Sequence, residues 1–298
     1  ETDENEQNFL AGIEGHIQGE TLRVPYQVRY SVDHEDRRDD LTRQLPENPI
    51  ETGEILAETG VQLDKGPFGF LVMGRFLQEK FDDGTTPAGA LVVRHDADRE
   101  SWIGEGQVSY AMAPSYKFIL GALYGTREYE LQNYQGGGFN GAYRDSKYTA
   151  GWAGLNVDFE GVLYGDLKLG YENRDYDSDT IGDMGNLLAD AELGWNFTDT
   201  SSLIFGFDRG HFEDDEVIDP ILRTRTSLTY QQKLWDKVVV GMGGEWEQLD
   251  FEGSGREDET ILVRALVDYL ISNNITLGGE YNFSTRDSSV TDRDYDRN

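Results

Sequence analysis

Apolar and polar residues alternate along most of this chain, in segments that recur from Phe9 to Phe283. Within the segment from Asp236 to Trp246, one side of an extended chain would carry Val238, Val240, Met242, Gly244 and Trp246. Its other side is small or charged. Because successive side chains of a strand point to opposite sides, the pattern predicts strands with one apolar face. In a soluble sandwich that face packs on a core, whereas in a wide barrel it can face lipid.

The alternation predicts fourteen strands, each near or above the ~9–11 residues that cross a bilayer when tilted. They cover about residues 8–18, 21–32, 54–64, 68–81, 101–113, 116–129, 146–159, 162–175, 186–197, 201–212, 221–232, 236–249, 259–270 and 274–285. A fifteenth candidate, Ala88–His95, is shorter and less regular, and we place it inside a long loop.

Short and long connections alternate between these segments. The short ones lie near residues 18–21, 64–67, 113–116, 159–162, 198–201, 233–236 and 271–274. The long polar ones cover residues 33–53, 82–101, 130–145, 175–185, 213–220 and 250–258. Short periplasmic turns and long outer loops are typical of outer-membrane barrels. The sequence therefore predicts an all-β fold, a transmembrane antiparallel up-and-down β-barrel.

The direction of the strands leads to an expectation about the complete protein. If the short turns are periplasmic, both ends of the segment 1–298 lie outside, whereas bacterial barrels usually have an even strand number with both termini periplasmic. We therefore expect a single barrel domain over residues 1–298 that lacks its first and last strands, and about sixteen strands in the whole protein.

Composition narrows the possible partners. The formal net charge is −31, from 57 acidic and 26 basic residues, which argues against nucleic acid because phosphate binding needs a basic face. The acidity is compatible with repulsion between solvated loops or with attraction of cations. Mean hydropathy is −0.60, which argues against a membrane protein built of helices. Aromatic residues make up 12% of the chain, which suits a barrel with aromatic girdles. The absence of cysteine excludes thiol catalysis and disulfides.

The polar face of the predicted strands carries both charge signs, and we predict that it lines an aqueous lumen. The candidate lumen residues are Arg23, Arg29, Lys117, Arg127, Trp152, Asp166, Lys168, Glu172, Asp190, Glu192, Arg223, Arg225, Lys237, Glu245, Arg264, Asp268 and Glu280. Trp152 is an inward aromatic that could stack on a sugar ring or could fill the lumen.

Catalytic and metal chemistry have little support in the sequence. Four scattered histidines, His16, His34, His95 and His211, have neither metal-ligand nor triad spacing, so we predict no enzyme, no catalytic residue and no metal site. We expect no cofactor beyond weak divalent cation binding at the acidic loops Asp175–Asp183 and Phe212–Asp219. The glycine-rich stretch Gly136–Gly141 is interpreted as an outer loop, because no P-loop lysine follows it.

Loop and turn segments along nearly the whole chain resemble the second of the families named putative β-barrel porin, from proteobacterial outer membranes. The resembling stretches are Tyr30–Asp40, Tyr143–Ser146, Tyr164–Tyr171, Arg174–Tyr176, Gln232–Trp235, Phe251–Asp258, Tyr269–Asn274, Arg286–Ser288 and Asp294–Asn298. Family members begin with a strand before a segment like Glu1 and continue into a last strand after one like Asp294–Asn298, which agrees with the strand directions above.

The resemblance implies a porin-like barrel associated with exopolysaccharide synthesis and export, with no catalytic residues. We predict a bacterial outer-membrane channel for a hydrophilic polymer. Its expected partners are outer-membrane lipid, which surrounds the barrel, and polysaccharide, which is the transported substrate. A periplasmic export partner and a monomeric state are part of the expectation, and nucleic acid is not. The alternatives are a general diffusion porin for small cations and a plugged structural or adhesive barrel.

Overall fold

The computed structural model describes residues 8–34, 51–86, 88–130, 144–178, 181–212, 220–235, 237–272, 275–290 and 295–297. Within these ranges nearly every residue lies in a strand or a turn. The elements are β1 (Phe9–Gln18), β2 (Leu22–His34), β3 (Glu51–Lys65), β4 (Phe68–Phe81), β5 (Gly84–Thr85), β6 (Leu91–Val92), a 3-10 helix (His95–Ala97), β7 (Arg99–Ala113), β8 (Tyr116–Tyr129), β9 (Ser146–Phe159), β10 (Leu163–Tyr176), β11 (Met184–Thr198), β12 (Ser201–Phe212), β13 (Ile221–Leu234), β14 (Val238–Phe251), β15 (Arg256–Ser272), β16 (Ile275–Ser288) and β17 (Tyr295–Arg297).

Fourteen long strands form one antiparallel meander. Each strand pairs with its neighbour along the chain, from β1 to β17, and only the β5–β6 hairpin stands apart from this sheet. Among the described residues no ladder joins β1 to β16 or β17. The predicted fold class and the fourteen long strands are confirmed. The candidate strand Ala88–His95 lies in a loop as predicted, with only its residues Leu91 and Val92 paired, to β5. In the described part of the chain, no helix is long and apolar enough to cross a bilayer.

The two ends of the sheet differ in their connections, and the apolar face carries aromatic belts near both. We call them the short-turn end and the long-loop end. Near the short-turn end, ring centroids lie 5.0 Å apart in Phe68–Tyr110, 5.1 Å in Tyr116–Phe159 and 5.3 Å in Trp195–Phe197. Near the long-loop end, Phe76 and Trp102 are 4.6 Å apart. Amphipathic rings at two levels are what a lipid-facing barrel wall needs at its two interfaces.

Glycines on the polar face lie beneath aromatic side chains of the adjacent strand. Gly121 pairs directly with Trp152 and Gly125 with Tyr148, and a methyl group on either glycine would overlap the neighbouring ring. Gly194 has the same relation to Tyr164. These rings therefore lie flat across the wall. The glycine content of the chain, high for a strand-rich protein, has a packing reason at these positions.

Replacing Gly121 with alanine should destabilise the barrel, because the new methyl group displaces the Trp152 indole from its place on the wall. We expect a loss of about 1–3 kcal/mol in the free energy of unfolding, measured by urea titration of the detergent-solubilised protein. Gly106→Ala is the matched control, since nothing lies within 4 Å of a methyl group there. Adding Trp152→Ala to Gly121→Ala should make the glycine substitution nearly neutral. An equal loss at Gly121 and Gly106 would contradict the packing argument.

Candidate functional site on the polar face

Sixteen of the seventeen predicted lumen residues share one face of the sheet, because direct cross-strand pairs put their members on the same side. One row shows this over four strands, because Lys117 pairs with Asn156, Asn156 with Asp166, and Asp166 with Glu192. The remaining ladders place Arg23, Arg29 and the other candidates on the same side of the sheet. We call this side the polar face. The exception is Lys237, which lies in the turn before β14 and donates its backbone N–H to the Leu234 carbonyl.

The charges of the polar face neutralise one another across strands. Two ion pairs join residues predicted from the sequence, Lys168 Nζ to Asp190 Oδ1 at 3.2 Å and Arg264 Nε to Glu280 Oε1 at 3.3 Å. Three more use carboxylates that the sequence reading did not select: Arg29–Glu54, Arg75–Glu58 and Arg223–Asp208 at 2.5, 2.7 and 2.7 Å. The result is a face of alternating signs and not a strip of one charge.

An aromatic residue ends each of five strands at the long-loop end. These rim aromatics point to the polar face, and an acidic residue follows each one: Phe81–Asp82, Tyr129–Glu130, Tyr176–Asp177, Phe212–Glu213 and Phe251–Glu252. Phe81, Tyr129 and Phe251 are at most 3% exposed. Prediction from the sequence missed this feature, although an aromatic followed by an acid at every second strand end is a signal that could have revealed it.

A guanidinium stacks on four of the five rim aromatics. Arg99 lies 5.7 Å from the Phe81 ring centre, Arg144 4.9 Å from Tyr129, Arg223 4.8 Å from Phe212 and Arg256 4.1 Å from Phe251. Arg99, Arg223 and Arg256 come from the start of the next long strand, and Arg144 lies two residues before the start of β9. A cation over an aromatic face is stabilising, and more so when water is excluded. The stacks therefore tie together the two ends of four outer loops, those after β4, β8, β12 and β14.

Tyr176, the fifth rim aromatic, contacts a histidine instead. Its hydroxyl lies 3.1 Å from His211 Nε2, and His211 Nδ1 lies 2.8 Å from the Met184 sulfur. The arginine of this region, Arg174, stacks on Tyr148 at 4.9 Å. His211 is thus a packed residue of the rim.

Asp258 is the most enclosed carboxylate of the rim, at 1% exposed. Arg256 donates to both of its oxygens, with Nε at 2.9 Å from Oδ1. Arg286 donates to Oδ2, and the Ser288 hydroxyl donates to Oδ1 at 2.6 Å. Two guanidinium groups and a hydroxyl thus compensate one buried charge, which is the condition under which such a charge can be kept in the fold.

Aspartates hold the loop between β4 and β7 to the rim. Asp83 Oδ1 accepts backbone N–H bonds from Arg94 at 2.8 Å and His95 at 3.2 Å. Burial raises the pKa of the Asp83 carboxyl, but the bonds from Arg94 and His95 outweigh it and the net pKa is lowered. Asp98 accepts the Phe81 N–H at 2.7 Å, and burial raises its pKa despite that bond and Lys80.

The remaining sequence candidates are dispersed or lie outside the described residues. His16 is on β1, His95 in the 3-10 helix and His211 on β12. No group of three or more metal-ligating side chains occurs in the part of the chain that the structure describes. The glycine stretch Gly136–Gly141 and the acidic loop that follows Phe212 fall outside it, as do residues 179–180 of Asp175–Asp183.

Removing the Asp258 carboxylate should destabilise the barrel strongly. Asp258→Ala leaves the guanidinium groups of Arg256 and Arg286 without their shared counter-charge, and we expect a loss of about 3–5 kcal/mol in the free energy of unfolding. The matched control is Asp190→Ala, whose partner Lys168 is 37% exposed and whose loss should cost less than about 1 kcal/mol. Urea unfolding of both variants measures the difference, and similar losses of stability would contradict the role of Asp258 as a shared counter-charge.

Solved structures with a similar fold are outer-membrane transporters. The FrpB iron transporter from Neisseria meningitidis (F5-1 variant, apoprotein form) matches with a TM-score of 0.54 and 11% identity, over 95% of this chain and 51% of that one. The ferric yersiniabactin uptake receptor FyuA from Yersinia pestis matches with a TM-score of 0.51 and 9% identity, over 95% and 52%. This chain thus spans about half the length of those proteins, and at such identities the likeness concerns the fold alone.

No curated protein matches the chain. The family comparison, in contrast, covers all of it: the family model described as putative beta-barrel porin 2 matches residues 1–298. Together with the antiparallel meander, the two aromatic belts and the transporter barrels above, this match places the protein in the bacterial outer membrane. The chain belongs to the putative beta-barrel porin 2 family, whose fold is a transmembrane β-barrel of the outer membrane.

Proposed function

We propose that this barrel is a channel through which a hydrophilic polymer, an exopolysaccharide, leaves the cell. In this proposal the polar face lines the aqueous lumen, the apolar face meets lipid, and the short turns are periplasmic. The protein acts as a non-enzymatic conduit and works as a monomer, with a periplasmic partner that delivers the polymer.

The observation that carries the proposal is the paired charge of the polar face. Lys168–Asp190, Arg264–Glu280 and Arg223–Asp208 each join opposite signs across neighbouring strands. A lumen of one sign would hold or exclude an ionic solute, whereas locally neutral pairs with free hydrogen-bonding capacity let a polar chain slide past. This favours a polymer conduit over a strongly cation-selective porin, even though the whole chain has a net charge of −31.

The arginine–aromatic stacks of the rim also support the proposal. Arg99, Arg144, Arg223 and Arg256 are stacked on aromatic rings at the long-loop end, and the first of them also forms a bidentate pair with Glu79 at 2.6 and 2.7 Å. These contacts fix the ends of the outer loops. A rigid outer mouth keeps a fixed bore, which suits a conduit.

Reconstituted in planar bilayers, the protein should give discrete conductance steps with weak selectivity between small cations and anions. In the source bacterium, deletion of the gene should leave polymer synthesis intact but stop its appearance outside the cell. Absence of any conductance would overturn the open channel and favour a plugged barrel. Strong cation selectivity together with normal polymer secretion would favour the diffusion porin.

Charge reversal on the polar face should change ion selectivity, because a lumen charge acts on passing ions at short range. Arg225→Glu removes a cation opposite Asp208 and Glu247 and should shift the reversal potential towards cation selectivity in a salt gradient. Arg209→Glu is the matched control on the adjacent strand, since Arg209 pairs with Thr224 on the apolar face. Equal shifts in both variants would contradict the assignment of the lumen face.

A further inference from the structure

A cavity of about 230 Å³ opens on the polar face near the short-turn end, where β3, β4, β7, β8, β9 and β10 meet. Its lining combines polar side chains from β3, β7, β8, β9 and β10 with the apolar residues Leu71 and Ile119. It is smaller than the ~300–1,000 Å³ of pockets that enclose drug-sized ligands. It can therefore hold one ring of a larger molecule and not a whole chain.

A glycine forms part of this cavity and makes room for two polar groups. A methyl group on Gly69 would lie 2.5 Å from the Ser109 hydroxyl and 2.9 Å from Asp64 Oδ1. Both oxygens thus converge over the bare backbone of β4. Asp64 also accepts a bond from Gln62 Nε2 at 2.8 Å, which fixes its orientation.

The opposite side of the cavity is built in the same way. Asn156 Nδ2 donates to Asp166 Oδ1 at 3.1 Å, and the two residues are a direct cross-strand pair. Each amide–carboxylate pair leaves carbonyl and carboxylate lone pairs available, so the cavity offers acceptors at fixed positions on two sides.

Three further lining groups have unused hydrogen-bonding capacity. The side chains of Gln107, Ser109 and Lys117 make no hydrogen bond or ion pair within the described residues. Together they can donate six N–H or O–H bonds. Polar groups that converge on a concave part of the wall without protein partners are the features of a ligand site.

A buried indole N–H without a hydrogen-bond partner in the described part of the chain, that of Trp152, lies close to the cavity but is not part of its lining. It shares one cross-strand row with Gln62 and Gln107, and Gly121 alone separates it from Gln107. The indole lies over Gly121, with Nε1 2.7 Å from the position of a methyl group there. Trp152 is 8% exposed, and Nε1 has no hydrogen-bond partner in the described part of the chain.

The chemistry of these groups selects a class of ligand. Many donors and acceptors at fixed positions match vicinal hydroxyl groups, and Leu71 and Ile119 can pack on the C–H face of a ring. The charges of Asp64, Asp166 and Lys117 add up to one negative charge. This charge disfavours binding of a sugar that bears a carboxylate or sulfate. We propose that this cavity is a subsite for one neutral sugar ring of the transported polymer.

This inference deepens the proposed channel function and rests on it for its biological meaning. The subsite lies near the short-turn end and binds the polymer where the polymer enters the barrel from the periplasm. Weak binding there guides the chain into the lumen without halting it, because a conduit must bind enough to admit and little enough to release.

The test measures binding of short oligosaccharides to the purified full chain in detergent by isothermal titration calorimetry. The probes are the neutral trisaccharides maltotriose, cellotriose and mannotriose, and the acidic trigalacturonate. We expect at least one neutral trisaccharide to bind about tenfold more tightly than trigalacturonate. Binding of none of the neutral probes, or equal binding of the acidic one, would overturn the subsite.

Ser109→Ala and Ser227→Ala form a matched pair of variants. Both serines lie over a glycine of the adjacent strand, with the hydroxyl 2.5 Å from the position of a methyl group on Gly69 or Gly206. Only Ser109 lines the cavity, so Ser109→Ala should weaken binding about fivefold while Ser227→Ala leaves it unchanged. Equal effects of the two serine variants would overturn the assigned location.

Conductance of the same preparation separates the two proposals. A conducting channel that binds no neutral trisaccharide would overturn the subsite and leave the channel intact. Binding that is lost in Ser109→Ala, from a protein without conductance, would support the subsite and overturn the open channel.

Discussion

The fold depends on one constraint, the need to satisfy every backbone N–H and C=O group within the protein where the surroundings are hydrocarbon. The antiparallel ladders from β1 to β16 meet it by pairing each long strand with its neighbours in a continuous register. A shift of one residue would exchange the apolar and polar faces of a strand. The register that satisfies the backbone N–H and C=O groups therefore also determines which side chains face lipid and which contact one another on the polar face.

Charge is kept on the polar face at two levels of enclosure. In the middle of the sheet, pairs such as Lys168–Asp190 remain partly exposed and contribute little to stability. At the long-loop end, Asp258 is enclosed by two arginines and a serine, and here a change of one member leaves a buried charge unpaired. The rim thus contributes rigidity, and the mid-face pairs contribute the mixed charge of the polar face.

Most of the fold could be predicted from the sequence, because the apolar alternation and the lengths of the connections are local signals. Several strands are longer at the long-loop end than predicted, as with β15, which begins at Arg256 and not near residue 259, whereas others, such as β4 and β8, end there as predicted. There the pattern of lipid-facing residues stops before the ladder does, since the rim stacks hold the strand ends beyond the apolar band.

The candidate site was less accessible to prediction. Sixteen lumen candidates followed from alternation, but Trp152 over Gly121, Asp258 between Arg256 and Arg286, and Ser109 beside Asp64 depend on the register between strands. Nothing along one strand specifies that register. Only the repeated aromatic–acid dipeptide at the strand ends could have pointed to the rim.

One rim contact repeats in five of the seven hairpins that short turns form in the main sheet, within the described residues. A backbone N–H just beyond the strand end bonds to a carbonyl near the start of the preceding strand in the same way five times, in Asp82–Glu51, Glu130–Asp98, Asp177–Asp145, Glu252–Pro220 and Ser289–Glu257. Each of these hairpins thus closes its own open end with the same bond between its two strands, and the bond needs no element special to one place in the circumference. A wall made of such equivalent units can gain or lose whole hairpins by duplication or deletion, so its girth can evolve in steps of two strands while the chemistry of each unit stays the same.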